Sequence, residues 1–553
     1  MRCKPPVAFW RLTILIFGLA TTGCLPKSDH PPASTNVARP ANSPSSGSGL
    51  HFEEVAQKTG VNFELSNHGK SPLSILGTAG GGCAFIDYDQ DGWPDILLVG
   101  PGRASLFHNE QNGAFKEVTS TSGLPQKHWM GCAVGDYDGD GLPDIFLTGY
   151  QCAALMHNLG GGKFEDVTRA AGISGLSWSI SAAFADLNGD GRLDLFVGQY
   201  LDFSEKSQQL CLLGTRKTAC GPEIYSPQSG KLFLNIDGKH FKSAPWKDTG
   251  KTWGALVSDL MGNGKPTIYL ANDMMPGDLW VQKNGAWKNI GVASATAFDI
   301  RGLKQGGMGV DSADYDRDGK LDLLVTNYYM QAASLYHNDG EELFTVASDT
   351  TGLGPPTMPN VKFGCGFADF KNDGWPDIFI ASGHVRDNIK DHDASQSYAQ
   401  PMQLFRNDKG RFVEVPEALA AFNQNPIVGR GVSFADYDRD GKTDILVCNL
   451  EGKALLLHNV SKAGHWLNVR LKSSGKNRFG IGAMVSLKDV SPPLIREIRT
   501  SGSVMSALDP CAHFGLGDQT GPVTIEIRWP NGKKQTEFSQ KIDTELVIVQ
   551  SNP

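Results

Sequence analysis

The sequence predicts an all-β chain, a seven-bladed β-propeller followed by a small β-rich C-terminal domain. Three observations carry that reading. A nine-residue acidic loop recurs along the chain, short strand-like runs recur in fixed order around it, and no long segment of 3.6-residue periodicity competes with them. The 553 residues are 40% apolar, enough for an ample core. The net charge of -8, with no Lys/Arg-rich block, argues against a nucleic-acid surface.

The first element is residues 1–24, MRCKPPVAFWRLTILIFGLATTGC, read as a signal peptide. Arg2, Lys4 and Arg11 precede the apolar run Leu12–Ala20, which is too short to span a bilayer and suits a secretory signal. Its Thr-Gly-Cys ending resembles a bacterial lipobox, with Thr21 where that pattern usually has leucine, and Cys24 as the residue to be acylated. Export, with a lipid anchor in the cell envelope, is the expected localisation, and the lipid would be the only membrane contact. Residues 25–50, rich in Pro, Ser, Ala and Asn, cannot bury enough surface to fold and read as a disordered tether.

The propeller is assigned to residues 51–461. The first aspartates of the loops fall at 87, 136, 186, 259, 314, 369 and 436, giving seven units of about fifty residues with some insertions. In each unit a small-residue apolar strand (GGCAFID, GCAVGD, GCGFAD, GVSFAD) runs into the loop. A second strand leaves it (DILLVG, DIFLTG), a third ends at an Asn turn (SLFHN, ALMHN), and a fourth begins with Phe (FKEVT, FEDVT). Four strands per repeat, radially arranged, describe a propeller. The last unit lacks its fourth strand, and HFEEVA (His51–Ala56) supplies one ahead of the first unit, so the ring is expected to close without a free edge.

Five loops follow D-x-D-x-D-G-x-x-D: DYDQDGWPD, DYDGDGLPD, DLNGDGRLD, DYDRDGKLD and DYDRDGKTD. Side chains at positions 1, 3, 5 and 9 and a carbonyl at position 7 would surround one point with oxygen. The expected ligands are therefore Asp87, Asp89, Asp91, Trp93 and Asp95; Asp136, Asp138, Asp140, Leu142 and Asp144; Asp186, Asn188, Asp190, Arg192 and Asp194; Asp314, Asp316, Asp318, Lys320 and Asp322; and Asp436, Asp438, Asp440, Lys442 and Asp444. Calcium takes 6–8 oxygens at roughly 2.3–2.6 Å, and glycine permits the sharp turn. The cation also explains how clustered carboxylates tolerate one another. EF-hands would need flanking helices and a Glu at position 12. About five structural Ca²⁺ sites are expected. Two loops are worn: DLMGNGKPT (Asp259–Thr267) keeps one carboxylate, and DFKNDGWPD (Asp369–Asp377) carries Lys371 at position 3, so neither is expected to hold metal.

The loops and their strand–loop–strand frame resemble the FG-GAP/VCBS-type repeats of integrin α-subunit propellers. The tail, NRFGIGAMVSL…REIRTSGSVMSALDPCAHFGLGD…VTIEIRWPNGKKQ (Asn477–Gln535), resembles the ASPIC/UnbV domain of cartilage acidic protein and its bacterial relatives. The resemblance covers nearly all of residues 51–550 and assigns 462–553 to that domain. It implies a calcium-binding extracellular propeller and leaves the biochemical role open.

His108, His157, His337 and His458 all precede a third-strand Asn and read as one repeated structural position. Cys83, Cys132 and Cys365 stand four residues before a loop and read as small buried hydrophobes. Cys211 and Cys220, in the long insertion after the third loop, read as a disulfide. Trp129, Trp178 and Trp253 precede loops by six to eight residues and would lie near the channel mouth opposite the acidic loops. They and His384, in the insertion Ser382–Tyr398, are candidate ligand contacts; inter-blade packing and a solvated surface loop are the alternatives. No catalytic residue is assigned, since no nucleophile elbow, H-E-x-x-H, P-loop or dinucleotide fingerprint occurs. The expected function is a membrane-tethered binding or adhesion module for an extracellular protein or glycan. A polysaccharide lyase or hydrolase at the channel mouth and an envelope scaffold are the rivals.

Overall fold

The computed structural model describes residues 49–66, 69 and 71–551. The expected signal peptide, Cys24 and nearly all of the tether lie outside the described residues. Among those described, no helix is long and apolar enough to cross a membrane.

The repeat fold is antiparallel throughout, with strand one of each unit innermost and strand four outermost. Unit 1 pairs Gly82–Ile86, Asp95–Gly100, Arg103–Asn109 and Phe115–Glu117 in that order. The same ladder recurs from Trp129–Gly135, Ser179–Ala185, Thr252–Ser258, Gln305–Ala313 and Lys362–Ala368. The last repeat begins at Gly429–Ala435 and takes its fourth strand from the N-terminal side: Phe52–Glu54 pairs with Leu455–Asn459, Phe52 opposite Asn459. First strands pack beside one another in chain order, and Gly429–Ala435 packs beside Gly82–Ile86.

A recurring side-chain latch joins neighbouring units. Asn109 Nδ2 donates to Tyr437 O (2.9 Å), Asn158 to Tyr88 O (2.8 Å), Asn235 to Tyr137 O (2.7 Å), Asn338 to Leu260 O (2.7 Å), Asn407 to Tyr315 O (2.8 Å) and Asn459 to Phe370 O (3.0 Å). Each acceptor is position 2 of the preceding unit's acidic loop. The turn Asn of one unit thus holds the loop of the unit before it, which explains why both recur along the chain. In unit 4 the third strand lacks that Asn, and Gln282 Nε2 donates to Leu187 O instead.

The C-terminal residues form a three-stranded sheet (Ala512–Gly517, His465–Lys472, Thr544–Val549) and a four-stranded sheet (Leu494–Glu497, Met484–Leu487, Val523–Arg528, Lys534–Ser539). They pack against the repeats, and the described residues fall in one compact unit. Phe514, Ile525 and Trp529 share a buried cluster with Phe184, Leu195 and Phe233 of the repeats. The hairpin Ser501–Gly502/Ser506–Ala507 leaves these sheets and joins the first unit, Ala507 pairing in parallel with Ala84.

That hairpin bonds to the first strand of every unit. Cys83 N donates to Ser506 Oγ (3.2 Å), Cys132 N to Met505 O (3.0 Å), Met505 N to Ser181 Oγ (3.0 Å), and Val257 N to Ser501 Oγ (3.0 Å). Val310 N donates to Ser503 O (2.9 Å), while Cys365 N and Val432 N both donate to Ser503 Oγ (3.3 Å). Glycine in the first strands makes this approach feasible: a Cβ on Gly82 or Gly131 would stand 2.0 or 2.5 Å from Met505 O. The middle of the ring is therefore filled by the chain's own C-terminal segment.

Candidate metal centres

Each full loop is drawn shut by its own carboxylates. In the first, Asp87 accepts from Asp91 N and Gly92 N (both 3.1 Å), Asp91 from Trp93 N (2.8 Å), and Asp95 from Tyr88 N (3.2 Å) and Asn109 N (2.7 Å). The bond from Gly to position 1 recurs at Asp136, Asp186, Asp314 and Asp436, at 2.9 to 3.1 Å. So does the bond from position 7 to position 5: Leu142, Arg192, Lys320 and Lys442 N donate to Asp140, Asp190, Asp318 and Asp440 (2.8 to 2.9 Å). Backbone N–H groups thus hold both oxygens of each position-9 carboxylate and one oxygen of each position-5 carboxylate.

The clustering of these carboxylates is costly without a cation. Burial, reinforced by neighbouring acids, pushes the Asp95 and Asp322 carboxyls up to about 9, Asp136 and Asp436 to about 8, and Asp194 and Asp444 to about 7. Asp87, Asp144 and Asp314 rise to about 6. Asp89 Oδ1, Asp314 Oδ1, Asp436 Oδ1 and Asp438 Oδ1 are buried with no hydrogen-bond partner. Orphaned anionic oxygens in a cluster fit a hard divalent cation.

The histidines, which the sequence reading kept apart from the loops, stand over them. One ligand atom each from Asp89, Asp91 and His108 lies within 4.8 Å of the others, and the same holds for Asp138/Asp140/His157, Asp316/Asp318/His337 and Asp438/Asp440/His458. Nδ1 of His108, His157 and His458 lies 3.0 to 3.2 Å from the position-9 carboxylate. Hydrogen bonding to Asp144 raises the pKa of His157, and hydrogen bonding to Asp444 raises that of His458. The third strand pairs back along the second, so the residue before its turn Asn returns to the loop's last aspartate. Cross-strand register, not sequence spacing, was the missing signal.

The two worn loops keep the turn and replace the charge. Asp259 still accepts from Asn263 N (3.0 Å) and Gly264 N (2.8 Å), but Arg528 Nη2 of the C-terminal domain donates to its Oδ2 (2.5 Å). Glu497 Oε1 accepts from Asp259 N (2.8 Å). In the loop at Asp369, Lys371 sits at position 3 and Arg406 takes the place of the histidine. With Arg317, these cations act on Asp373, whose pKa is raised overall by desolvation. The C-terminal domain seals this loop as well: His513 Nε2 lies 2.8 Å from Asn372 Oδ1, and Gly517 N donates to Asn372 O (2.6 Å).

The other candidate ligand contacts are corrected. Trp129, Trp178 and Trp253 are 0, 1 and 3% exposed, so none offers a face to a ligand. Trp178 and Trp253 stack edge-on to Tyr200 at 5.1 Å, inside a cluster that Phe203, Tyr225 and Met505 complete. The inserted segments supply this cover, which inner-strand position alone did not reveal. His384 is likewise buried, with its pKa pushed down to about 3 by burial. Its loop is clasped at one side, Asn388 accepting from Thr218 Oγ1 (2.9 Å) and Asp391 pairing with Arg216 (2.9 Å), while Lys390, Asp391, Ala394, Ser395 and Ser397 stay exposed. Cys211 and Cys220 are disulfide-bonded, pinning the hairpin that makes this clasp.

Loop, latch and tail together specify a family. An FG-GAP-like repeat profile matches residues 87–147, 136–197, 259–325, 314–380 and 369–447, and an ASPIC and UnbV profile matches 473–553. The chain belongs to the FG-GAP-like repeat family, with a C-terminal ASPIC and UnbV domain. It is similar to cartilage acidic protein 1 of Xenopus tropicalis, 26% identical over 367 residues, covering 64% of this chain and 52% of that protein. The Mus musculus protein is 25% identical over 389 residues, covering 67% and 54%. The chain spans about half the length of the curated relatives it matches. Among solved structures, an Agrocybe aegerita lectin that recognises non-reducing terminal N-acetylglucosamine is similar at TM-score 0.37 and 16% identity, over 61% of this chain and 79% of that one. YCF48 from Cyanidioschyzon merolae gives 0.40 and 10%, over 74% and 98%. Both likenesses are distant.

Proposed function

We propose that the protein is an exported, calcium-stabilised propeller that binds a protein or glycan outside the cell, tethered to a membrane by acylation at Cys24. The observation that carries this reading is the set of five acidic loops with clustered carboxylates, three of which, those at Asp87, Asp314 and Asp436, hold buried, unpartnered carboxylate oxygens. Calcium is the cation such all-oxygen, glycine-turned loops suit, and it would be structural, clamping each hairpin turn to the latch of the next unit. The charged N-terminal flank with its short apolar run supports export, as does the Cys211–Cys220 disulfide that pins an inserted hairpin.

Thermal melting in calcium and after chelation tests the clamp; an unchanged melting point overturns it. Retention of the calcium-loaded protein on immobilised extracellular polysaccharides and proteins tests the binding role, with polymer length read in parallel. Shortened chains would replace a binding module by an enzyme. Loss of fatty-acid labelling on Cys24→Ser is expected, and unlabelled wild-type protein overturns the tether.

A further inference from the structure

Loop 3 differs from the other full loops. No imidazole stands over it, because Leu234 occupies the histidine's place in its third strand, Lys231–Asn235. Asn188 at position 3 leaves it three carboxylates instead of four, and Asn188 is exposed where the corresponding Asp89, Asp138, Asp316 and Asp438 are half-buried. Loop 3 opens onto a cleft of about 640 Å³ between units 3 and 4 and the C-terminal domain, within the range of ligand pockets.

The cleft has two unlike walls. On the C-terminal side and at worn loop 4 are the cations Arg528, Arg499 and Lys265 and the acids Glu497 and Asp259, the acids already engaged by Ser258 Oγ and by Arg528 Nη2. Arg528 spends Nη2 on Asp259, but its Nη1 is buried without a partner. On the repeat side are Leu187 and Gln282. Gln282 is paired in register with Trp287, and Trp280 lies two residues back on the same strand face. Trp280 and Trp287 gather around Trp246 of unit 3, with ring centroids 4.5 and 5.9 Å from it. All three indoles are half-buried, in contrast to the fully covered Trp129, Trp178 and Trp253. None of the three lines the cleft itself; they pack against the cluster that contains Leu187, and Trp287 is the cross-strand neighbour of cleft-lining Gln282, which sets the aromatic surface beside the cleft.

We propose that this groove binds a carboxylated oligosaccharide, with a sugar ring against Trp287 and Trp280 and the uronate carboxylate at Lys265 and Arg528 Nη1. Half-exposed indoles give a large flat apolar surface at low entropic cost, which sugar rings match. Cations with unspent donors favour a carboxylate over a neutral hydroxyl. The assignment rests on the binding-module reading and adds to it the place and the ligand class.

The test titrates the full calcium-loaded chain with galacturonate, mannuronate and glucuronate hexasaccharides, and with maltohexaose as the neutral control, following tryptophan fluorescence and heat of binding. At least one uronate oligomer should bind, with affinity falling about tenfold for Trp287→Ala and severalfold for Lys265→Glu. Lys265 is exposed, so Lys265→Glu reports on the groove even if Trp287→Ala loosens the fold. Binding that both variants leave unchanged places the site elsewhere: the groove is refuted and the binding module stands. Equal binding of maltohexaose refutes the carboxylate assignment. No binding by any uronate oligomer refutes the proposal outright, while retention on an immobilised protein would still uphold the module.

Discussion

The full and worn acidic loops are built on the same turn, yet they solve the same electrostatic problem in opposite ways. Where carboxylates converge in the full loops, carboxyls such as Asp95 and Asp322 rise far above their ordinary 3.8, and in the loops at Asp87, Asp314 and Asp436 oxygens are left buried and unpartnered. Where the template has decayed, a protein cation has moved in: Arg528 at Asp259, and Lys371, Arg406 and Arg317 around Asp373. The C-terminal domain grips both worn loops through Glu497, His513 and Gly517, and it touches full loops too, Asn468 Nδ2 donating to Asp436 (3.2 Å) and Arg478 Nε to Gly139 O (2.8 Å). The worn fourth loop keeps an acceptor, Asp259 Oδ2, that an arginine uses.

The largest expected effect breaks the comparison from the metal side. A site held at a hundredfold excess over its Kd contributes about 2.7 kcal/mol, so five sites together contribute on the order of 10 kcal/mol. Stripping calcium should lower the melting temperature sharply, and calorimetry with and without chelator measures it. The stripped protein should also show a pH dependence that the loaded one lacks. Its loop carboxyls sit at about 6 to 9 in the fold against 3.8 unfolded, so the native state holds the extra protons between those limits. Their stabilising share is fully present below about pH 4 and is lost as pH rises through about 6 to 9. A flat melting profile over that window would show that the carboxylates do not carry the strain.

Arg528→Gln attacks the worn side. It leaves Asp259, whose side chain is only 4% exposed, without its cation, and breaking a buried pair costs about 3 kcal/mol. The loss should be the same in calcium and in chelator, because no metal is involved. A loss that calcium abolishes would mean that the fourth loop binds metal after all. A subtler change sharpens the contrast: Lys371→Asp with Arg406→His restores the template in the sixth loop. Metal analysis of the dialysed protein should then count one more ion per chain, with a stability gain of about 2 kcal/mol at saturating calcium.

The sequence exposed the repeat because each unit needs the same turn, latch and small-residue strand; the ring closure by Phe52–Glu54 was legible because the last unit lacks Phe-x-x-Val. What it hid depended on contacts between distant segments. Nothing in RTSGSVMSAL distinguishes a channel-filling hairpin from a surface turn until Ser503 and Met505 are seen bonded to first strands as far apart in the chain as Cys132 and Val432. The burial of Trp178 and Trp253 had the same cause, since Phe203 and Tyr225 come from an insertion whose path no spacing fixes. Arg528 lies 269 residues from the aspartate it serves, and only the fold pairs them.

The smallest expected effect concerns the histidines, and it separates two ways of holding a loop. His157 Nδ1 lies 3.2 Å from Asp144 Oδ1 and, at 3.5 Å, faces Asp138 as well. If the imidazole only steadies the position-9 carboxylate, His157→Ala removes one partly exposed hydrogen bond worth about 1 kcal/mol, and bound calcium stays at its wild-type count. If instead the imidazole neutralises the loop, the variant should lose more stability in chelator than in calcium, because only the empty loop needs another cation. The raised pKa of His157, set mainly by its bond to Asp144, favours the second outcome: the imidazolium's stabilising share is present at low pH and lost as pH rises through that raised value. Loop 3 supplies the internal control. With Leu234 in the histidine's place, it lacks an imidazole, keeps only the partly exposed Arg192–Asp190 pair (3.4 Å), and should be the first of the five to open as calcium is withdrawn, which hydrogen exchange at Asn188–Gly191 would record.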